Sequence, residues 1–333
     1  MRKFVTFGET MVTYNPRYIG PYDESRTDMS EYEVYCAGTE SNVVLDIERL
    51  GINGVQTVWI SRVGDDKEGE MVLESLRDRT IVVAPKLANT HTGICYMSNF
   101  GGGQISKTYR RKGSAASHLT FEEIEPHLLD VDVLHITGIT PALSCTTQKT
   151  TFDALNYAQK KQIPVSFDGN YREAIWAPEE ASTIFDRIIP YSTVFKVGHD
   201  EAETVWQFGW TAVEYARYFQ EINQALVIVT MGSEGALAFD GENTVYQPGY
   251  EIEVLDPVGA GDAFIAGFLG LVLQERSLAD FLLIDPSERA SLMAASMRVA
   301  NACGAIVCMM RGDVEPMPTM MEAVTFLREQ ETC

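Results

Sequence analysis

Positive charge is scarce in this sequence. Its 333 residues include 26 lysines and arginines against 47 aspartates and glutamates, which gives a formal net charge of −21 at pH 7. Such a chain repels nucleic acids and anionic membrane surfaces, so we expect neither as a partner. It also repels anionic small molecules, and any local cluster of cations is therefore informative about the ligand.

Cysteine and histidine patterns that bind metals are missing as well. The six cysteines contain no C-x-x-C pair, and the five histidines show no metal-ligand spacing. His135 lies in an apolar run and is better explained as a core histidine. No apolar stretch approaches the length of a membrane span, and the apolar run after Met1 is too short for a signal peptide. These absences predict a cytoplasmic protein with reduced thiols.

Two common nucleotide-binding motifs are also absent. No segment reads G-x-x-x-x-G-K-S/T, which excludes a P-loop kinase. The glycine turn at Gly259 comes late in the chain and lacks the G-x-G-x-x-G form, which excludes a dinucleotide site of that type. Any phosphate must therefore be bound in another way.

The segment Asp256–Phe264 is the most informative feature present. It follows a strand predicted over 250–255 and leads into a helix predicted over 263–273. A strand, a glycine turn and a helix N-terminus together form an anion site, because backbone N–H groups face one point and the helix dipole adds positive potential. The N–H groups in question belong to Gly259, Ala260 and Gly261.

Asp262 is the unexpected member of this segment. A carboxylate beside an anion site opposes phosphate binding, so it needs a chemical reason to be there. The natural one is a base that takes a proton from an attacking hydroxyl while the amides hold the transferring phosphoryl group. The alternative is a helix N-cap behind an ordinary glycine turn.

Predicted strands and helices alternate from about residue 130 to residue 305. This pattern indicates an α/β protein with a largely parallel sheet and helices on both faces. Ligands bind such sheets beyond the carboxyl ends of the strands, where this chain has Asp168, Gly198, Gly232 and Asp262. The stretches 13–37 and 90–112 break the alternation, and their Tyr, Thr, Ser and Gly content predicts a small β lid.

Asp256–Asp262 resembles the D-T-x-G-A-G-D signature of the PfkB/ribokinase family of sugar kinases, with Pro257 in place of threonine. Further family segments follow in the family's order: Gly38–Asn42 (with Ala37 for the first glycine of G-G-x-x-x-N), Gly64–Gly69, Thr230–Gly235 and Arg311–Pro318. The resemblance implies a ribokinase-like three-layer αβα core in one domain over 1–333, with the lid inserted in it. It implies ATP and Mg²⁺ as cofactors, leaves a monovalent cation open, and implies a homodimer or higher homo-oligomer through the lid.

Three consecutive cations, Arg110 to Lys112, stand out in so acidic a chain, and guanidinium groups hold carboxylates in a planar, bidentate way. A solvated basic turn is the alternative. The segment Tyr109–Ser117 resembles 2-keto-3-deoxygluconate kinases within the family, as does the D-x-N-x-R pattern at 168–172. The resemblance implies these substrate contacts: Gly38 and Asn42 to sugar hydroxyls, Tyr109 and Arg111 to the sugar acid with Tyr96 nearby, and Arg172 to its carboxylate or to the transferring phosphate.

The family pattern also implies a nucleotide and metal side of the site. Asp168 and Asn170 would order the site and a Mg²⁺-linked water, and Glu201 would act on Mg²⁺ through water. Gly198 replaces the asparagine of the family's N-x-x-E at the nucleotide site. Further contacts to the phosphates, ribose and adenine would come from Thr230, Gly232, Gly235 and Asn301.

These observations predict an ATP-dependent kinase that phosphorylates a hydroxyl of a keto sugar acid, with 2-keto-3-deoxygluconate as the expected substrate and Asp262 as the base. Two alternatives stay open. One is a kinase of the same family for a neutral sugar such as fructose or ribose, and the other is a non-catalytic sugar-acid sensor.

Overall fold

The computed structural model describes residues 1–23, 29–100, 105–224, 226–310 and 316–331. The predicted family segment at 311–318 lies largely outside these residues, as do short parts of both lid stretches. The strands are β1 (Arg2–Phe7), β2 (Met11–Pro16), β3 (Tyr32–Ala37), β4 (Val55–Ile60), β5 (Val63–Gly64), β6 (Ile81–Val83), β7 (Lys86–Leu87), β8 (Ile94–Asn99), β9 (Ile105–Arg110), β10 (Val133–Thr137), β11 (Val165–Asp168), β12 (Val194–Gly198), β13 (Leu226–Thr230), β14 (Gly235–Phe239) and β15 (Thr244–Pro248).

The helices alternate with these strands through most of the chain. They are α1 (Thr39–Leu50), α2 (Lys67–Leu76), α3 (Phe121–Ile124), α4 (Cys145–Lys161), α5 (Pro178–Ile188), α6 (His199–Trp206), α7 (Ala212–Asn223), α8 (Ala260–Glu275), α9 (Leu278–Leu283), α10 (Pro286–Cys308) and α11 (Met320–Glu331). The T-x-x-E pattern of Thr211–Glu214 predicts a capping box at the start of α7. The structure confirms it, since the side chain of Thr211 accepts a hydrogen bond from the N–H of Glu214.

In the described part of the chain, nine strands form one sheet in the order β15-β14-β13-β12-β11-β10-β1-β4-β6. In this spatial order, all strands from β13 across to β6 are parallel. The strands β14 and β15 run antiparallel at one edge. Successive side chains of a strand point to opposite faces. Phe4 of β1 therefore joins the core beneath α1, α8 and α10, whereas Val5 joins the core beneath α4 to α7. The predicted three-layer α/β/α architecture is confirmed.

A second sheet projects from this core. Its strands follow the order β3-β2-β8-β9, and β5 and β7 form a separate two-stranded pair. One face of the second sheet carries a cluster of tyrosine rings, in which Tyr14 stacks on Tyr96 and lies edge-on to Tyr32. The opposite face looks toward the carboxyl ends of the main strands, where Asp168 ends β11 and Gly198 ends β12.

The strand predicted over 250–255 is wrong. The chain leaves the sheet at the end of β15 and runs as an irregular segment to α8. Its backbone N–H groups find another partner, since those of Leu255 and Asp256 both donate to the carbonyl of Cys308 at the end of α10. The alternating apolar residues Tyr250, Ile252 and Val254 line a cleft, described below, and this segment does not pair with a neighbouring strand.

The long helix α10 is the other departure from expectation. By length and composition it is apolar enough to span a membrane, but 56% of its apolar 18-residue stretch is buried inside the protein. It packs along α8, where a Cβ on Gly267 would lie 3.0 Å from the Cα of Ala300. Its apolar character is that of a core helix.

Candidate active site

The start of α8 lies between two cavities. The larger is a cleft of about 740 Å³, which Pro257, Ala260 and Gly261 help to line. The smaller, of about 170 Å³, is lined on the same side by Val258, Gly259 and Asp262. A group that passes from one cavity to the other must pass the first turn of this helix.

The first turn of α8 starts at a glycine. Gly259 is the N-cap residue, and its φ of 82° belongs to the left-handed region that glycine adopts without strain. An α-helix leaves its first N–H groups without carbonyl partners, so those of Gly261 and Asp262 are directed outward from the helix end. The N–H of Ala260 differs, because it donates to the carbonyl of Pro257 at 3.3 Å.

Asp262 is not the helix cap, so the N-cap alternative is wrong. Its side chain is 6% exposed and lies in the first turn of α8. Asn42 donates from Nδ2 to one carboxylate oxygen at 2.9 Å, and Asn170 donates from Nδ2 to the other at 3.4 Å. Burial raises the pKa of Asp262 to about 7, against the lowering effect of the Asn42 hydrogen bond, and the charge of Asp168 adds to the rise. A carboxyl with this pKa can take up and release a proton near neutral pH.

Lys196 is a site residue that the sequence analysis missed. Its Nζ lies 2.8 Å from a carboxylate oxygen of Asp168, and both side chains are buried. Burial alone would lower the pKa of Lys196, but the charges of Asp168 and Glu201 raise it overall. A Cβ on Gly261 would lie 3.1 Å from the same Nζ, so the ammonium group sits directly behind the helix end. A lysine at the third position of a buried strand was the available signal, since buried lysines require partners.

Glu201, in the first turn of α6, is a further charged side chain near Lys196. Its Oε2 accepts a 2.8 Å hydrogen bond from the N–H of Gly198, and its Oε1 lies 3.7 Å from Nη1 of Arg172. Burial raises the pKa of Glu201, although Lys196 opposes the rise. The nucleotide contact predicted for Gly198 is not supported, since its N–H is occupied by Glu201 and it does not line the larger cleft.

No group of three or more His, Cys, Asp or Glu side chains gathers around a common point in the residues that the structure describes. A cage made only of protein ligands is therefore not present among them. Mg²⁺ commonly keeps several waters and takes one or two carboxylates together with substrate phosphates. Asp168 and Glu201 could supply the carboxylates of that kind of site, since both lie near Lys196, whose ammonium group sits behind the start of α8.

The smaller cavity gathers most of the residues predicted for the sugar. Arg111 is almost buried there and pairs with Glu9, with 2.7 Å between Nη2 and Oε2, whereas the side chain of Arg172 is half exposed. The predicted residues that line this cavity are Gly38, Asn42, Tyr109, Arg111, Arg172, Gly259 and Asp262.

Tyr96 was also predicted to lie at the sugar, but it does not line this cavity, so its predicted position was wrong. Its ring packs 4.0 Å from that of Tyr22 and 5.8 Å from that of Tyr14, centroid to centroid. Neighbouring residues of a strand face opposite ways, so Cys95 of the same strand lines the cavity and Tyr96 cannot.

The larger cleft gathers the residues predicted for the nucleotide. Thr230 ends β13, Gly232 and Gly235 flank the short turn that joins β13 to β14, and all three line the cleft. Asn301 of α10 lines it as well, although its Nδ2 donates to the carbonyls of Gln247 and Pro248 at 3.1 and 3.0 Å. Asn301 therefore holds β15 against α10 at the wall of the cleft.

Known proteins resemble this chain over almost its whole length. The family model for pfkB family carbohydrate kinases matches residues 1–320. A 2-dehydro-3-deoxygluconokinase of Bacillus subtilis is 30% identical over 98% of this chain and 96% of its own length. Fructokinase-1 of Oryza sativa is 24% identical over 97% of each chain. Among solved structures, a putative ribokinase II from E. coli with bound ATP and Mg²⁺ superposes with a TM-score of 0.81 at 23% identity, covering 99% of this chain and all of the other.

Proposed function

The chain belongs to the pfkB family of carbohydrate kinases and is a phosphotransferase with an alcohol acceptor, and we propose that its substrate is a keto sugar acid. The reaction moves the γ-phosphoryl group of ATP to the primary hydroxyl of 2-keto-3-deoxygluconate and gives the 6-phosphate. The observation that carries this choice is the pair Arg111 and Arg172 beside Asp262 in the smaller cavity. A carboxylate ligand explains two guanidinium groups in a chain of net charge −21. The sensor alternative has no support, since the relatives are kinases.

In this proposal Asp262 takes the proton from the attacking hydroxyl. Asn42 and Asn170 orient the carboxylate by binding one oxygen each. The N–H groups at the start of α8, including Gly261 and to a lesser degree Ala260, stabilise the charge on the transferring phosphoryl group. Lys196 lies behind this turn and adds positive potential there. Positioning and electrostatic stabilisation of this kind supply most of the catalysis in phosphoryl transfer.

The larger cleft is the proposed ATP site. Thr230, Gly232 and Gly235 would contact the phosphates and ribose, with Asn301 in the wall near the base. Mg²⁺ neutralises charge on the phosphates when it is bound. Asp168 and Glu201 would hold it through water. A putative ribokinase II from E. coli with this fold was solved with ATP and Mg²⁺ bound, which is consistent with both as cofactors.

The second sheet is the proposed lid of a single domain. Its inward face carries Tyr35, Lys107 and Tyr109 over the smaller cavity. Closure over the sugar would exclude water and suppress hydrolysis of ATP. We also propose that the lid mediates a homodimer and that the enzyme works in the cytoplasm; sedimentation and cell fractionation test these two points.

A neutral sugar is the second candidate substrate. Two observations favour it: Glu9 already balances the charge of Arg111, and fructokinases are among the relatives. Arg172 would then act on the phosphoryl group alone.

A coupled assay of ADP release with Mg-ATP separates the candidates. It compares 2-keto-3-deoxygluconate with fructose and ribose at equal concentrations. Turnover with the keto acid alone supports the proposal. Turnover with the neutral sugars alone retains Asp262 as the base and refutes the function proposed for the two arginines.

A further inference from the structure

We propose that Glu9 is a positioning residue that fixes the guanidinium group of Arg111 in the sugar cavity and so sets the preference for a carboxylate. This inference rests on the proposed function, because a neutral sugar needs no fixed cation at this point. Glu9 lies two residues beyond the end of β1 and is only 2% exposed. It lines the smaller cavity together with Arg111.

The carboxylate of Glu9 is held at both oxygens. Oε2 accepts a hydrogen bond from Nε of Arg111 at 2.8 Å and lies 2.7 Å from Nη2 in the same ion pair. Oε1 accepts a hydrogen bond from the hydroxyl of Ser114, which is itself fully buried. A Cβ on Gly93 would lie 2.7 Å from the same Oε1, so the backbone also closes around this carboxylate. These contacts at both oxygens therefore restrict the orientation of the Glu9 carboxylate.

Arg111 is held on a second side as well. Its guanidinium carbon lies 5.9 Å from the centroid of the Tyr109 ring, and its side chain is 12% exposed. A guanidinium group has five N–H donors in a planar fork. Glu9 contacts the edge of the fork formed by Nε and Nη2, and this contact fixes the guanidinium plane at the wall of the cavity. A planar, fixed set of donors suits a carboxylate, which accepts two parallel hydrogen bonds.

Two roles of Glu9 must be separated, because its negative charge also lowers the attraction of the cavity for an anion. Glu9→Asp keeps the charge but shortens the side chain by one methylene, so the carboxylate no longer reaches Arg111. Glu9→Gln keeps the size and one acceptor but removes the charge. A positioning role makes Glu9→Asp the more damaging change.

The test measures kcat and the KM values for 2-keto-3-deoxygluconate and ATP. For Glu9→Asp we expect the KM for the keto acid to rise about tenfold or more, as for the loss of a hydrogen bond to a charged group. The kcat should stay within about threefold and the KM for ATP should not change, since the nucleotide lies in the other cleft. Glu9→Gln should raise the KM for the keto acid less than Glu9→Asp does.

A double-mutant cycle shows whether Glu9 acts through Arg111. In an Arg111→Ala background, Glu9→Asp should change the KM for the keto acid by less than about twofold. Ser114→Ala, which leaves both charges in place, should raise this KM in the same direction, and it carries the test if Glu9→Asp does not fold by circular dichroism.

Three outcomes overturn the inference. One is an equal effect of Glu9→Asp in both backgrounds. Another is a lower KM in Glu9→Gln with no change in Glu9→Asp, which means that only the charge matters. The third is a fall in kcat together with a rise in the KM values for both the keto acid and ATP. If the wild type does not phosphorylate the keto acid at all, the proposed substrate fails and this inference fails with it; wild-type turnover with unaffected variants refutes the inference alone.

Discussion

Two uncharged amides hold the carboxylate of Asp262 in a buried position. Asn42 and Asn170 each donate a hydrogen bond to one of its oxygens. The hydrogen bond from Asn42 favours the ionised form, but burial outweighs it and the pKa rises to about 7. At the scale of single residues, the site therefore contains a base that changes its protonation state within the physiological range.

The first prediction concerns the pH dependence of catalysis. Asp262 must be ionised to take a proton, so kcat/KM should rise with pH along an acid limb with a midpoint near 7. The coupled assay, run from about pH 5 to pH 9 with the coupling enzymes in excess, measures this profile. A profile that stays flat through neutral pH would contradict the proposed base.

The second prediction concerns stability. Because the folded pKa of Asp262 lies above its unfolded value of 3.8, the folded state binds the extra proton between these values. Stability is therefore lost as pH rises through this window, and it stays lower above pH 7. Asp262→Asn avoids that loss and should raise the melting temperature more at pH 8 than at pH 5. Asp256→Asn, in the preceding loop, is the control and should show no such difference.

The third prediction concerns the buried pair of Lys196 and Asp168. Lys196→Met leaves a buried carboxylate without its partner, which typically costs about 3–5 kcal/mol of unfolding free energy. The double variant Lys196→Met/Asp168→Asn removes both charges and should recover part of that loss. Urea unfolding measures both values. A double variant as unstable as the sum of the single variants would show that the two side chains do not depend on each other.

At the scale of elements, the chemistry depends on how α8 begins. The turn before it needs a left-handed residue at position 259, and the first turn then presents outward N–H groups and Asp262 together. Gly51 offers a matched comparison, since its φ is 71° and a Cβ there would meet open space far from the site.

Gly259→Ala and Gly51→Ala form the fourth prediction. Each should cost about 1 kcal/mol of stability, because alanine resists a left-handed backbone. Only Gly259→Ala should also lower kcat, by about tenfold or more, because the helix start and its amides would move. Thermal unfolding and the coupled assay measure the two effects. Equal kcat values for the two variants would contradict a role for the turn in catalysis.

Elements with local signals were the ones that the sequence predicted well. The capping box at Thr211 and the alternating strands and helices could be recognised within single segments. The strand expected over 250–255 failed because an alternating pattern cannot show whether a neighbouring strand is there to pair with. The prediction for Tyr96 failed because the face to which a side chain points depends on the exact position of the residue within its strand. Pairs such as Glu9 and Arg111 lie 102 residues apart, so no local pattern connects them.

At the scale of the whole molecule, three cations of this acidic chain lie around the start of α8. Lys196 lies behind it, Arg172 lies beside it at the mouth of the smaller cavity, and Arg111 lies in that cavity with its charge balanced by Glu9. The smaller cavity reaches Gly259 and Asp262, and the larger cleft reaches Ala260 and Gly261 of the same helix turn. With ATP in the larger cleft and the sugar in the smaller cavity, as proposed, the phosphate donor and the hydroxyl acceptor would lie on either side of this turn.

The most direct test of that arrangement is the kcat of Asp262→Asn with saturating Mg-ATP and saturating sugar acid, measured beside Asp256→Asn. We predict that Asp262→Asn loses about 10²–10⁴-fold in kcat, as expected for a general base, with little change in either KM. The control should keep wild-type kcat, because its asparagine still accepts the N–H of Val258 as Asp256 does. A kcat of Asp262→Asn close to that of the wild type would contradict the account.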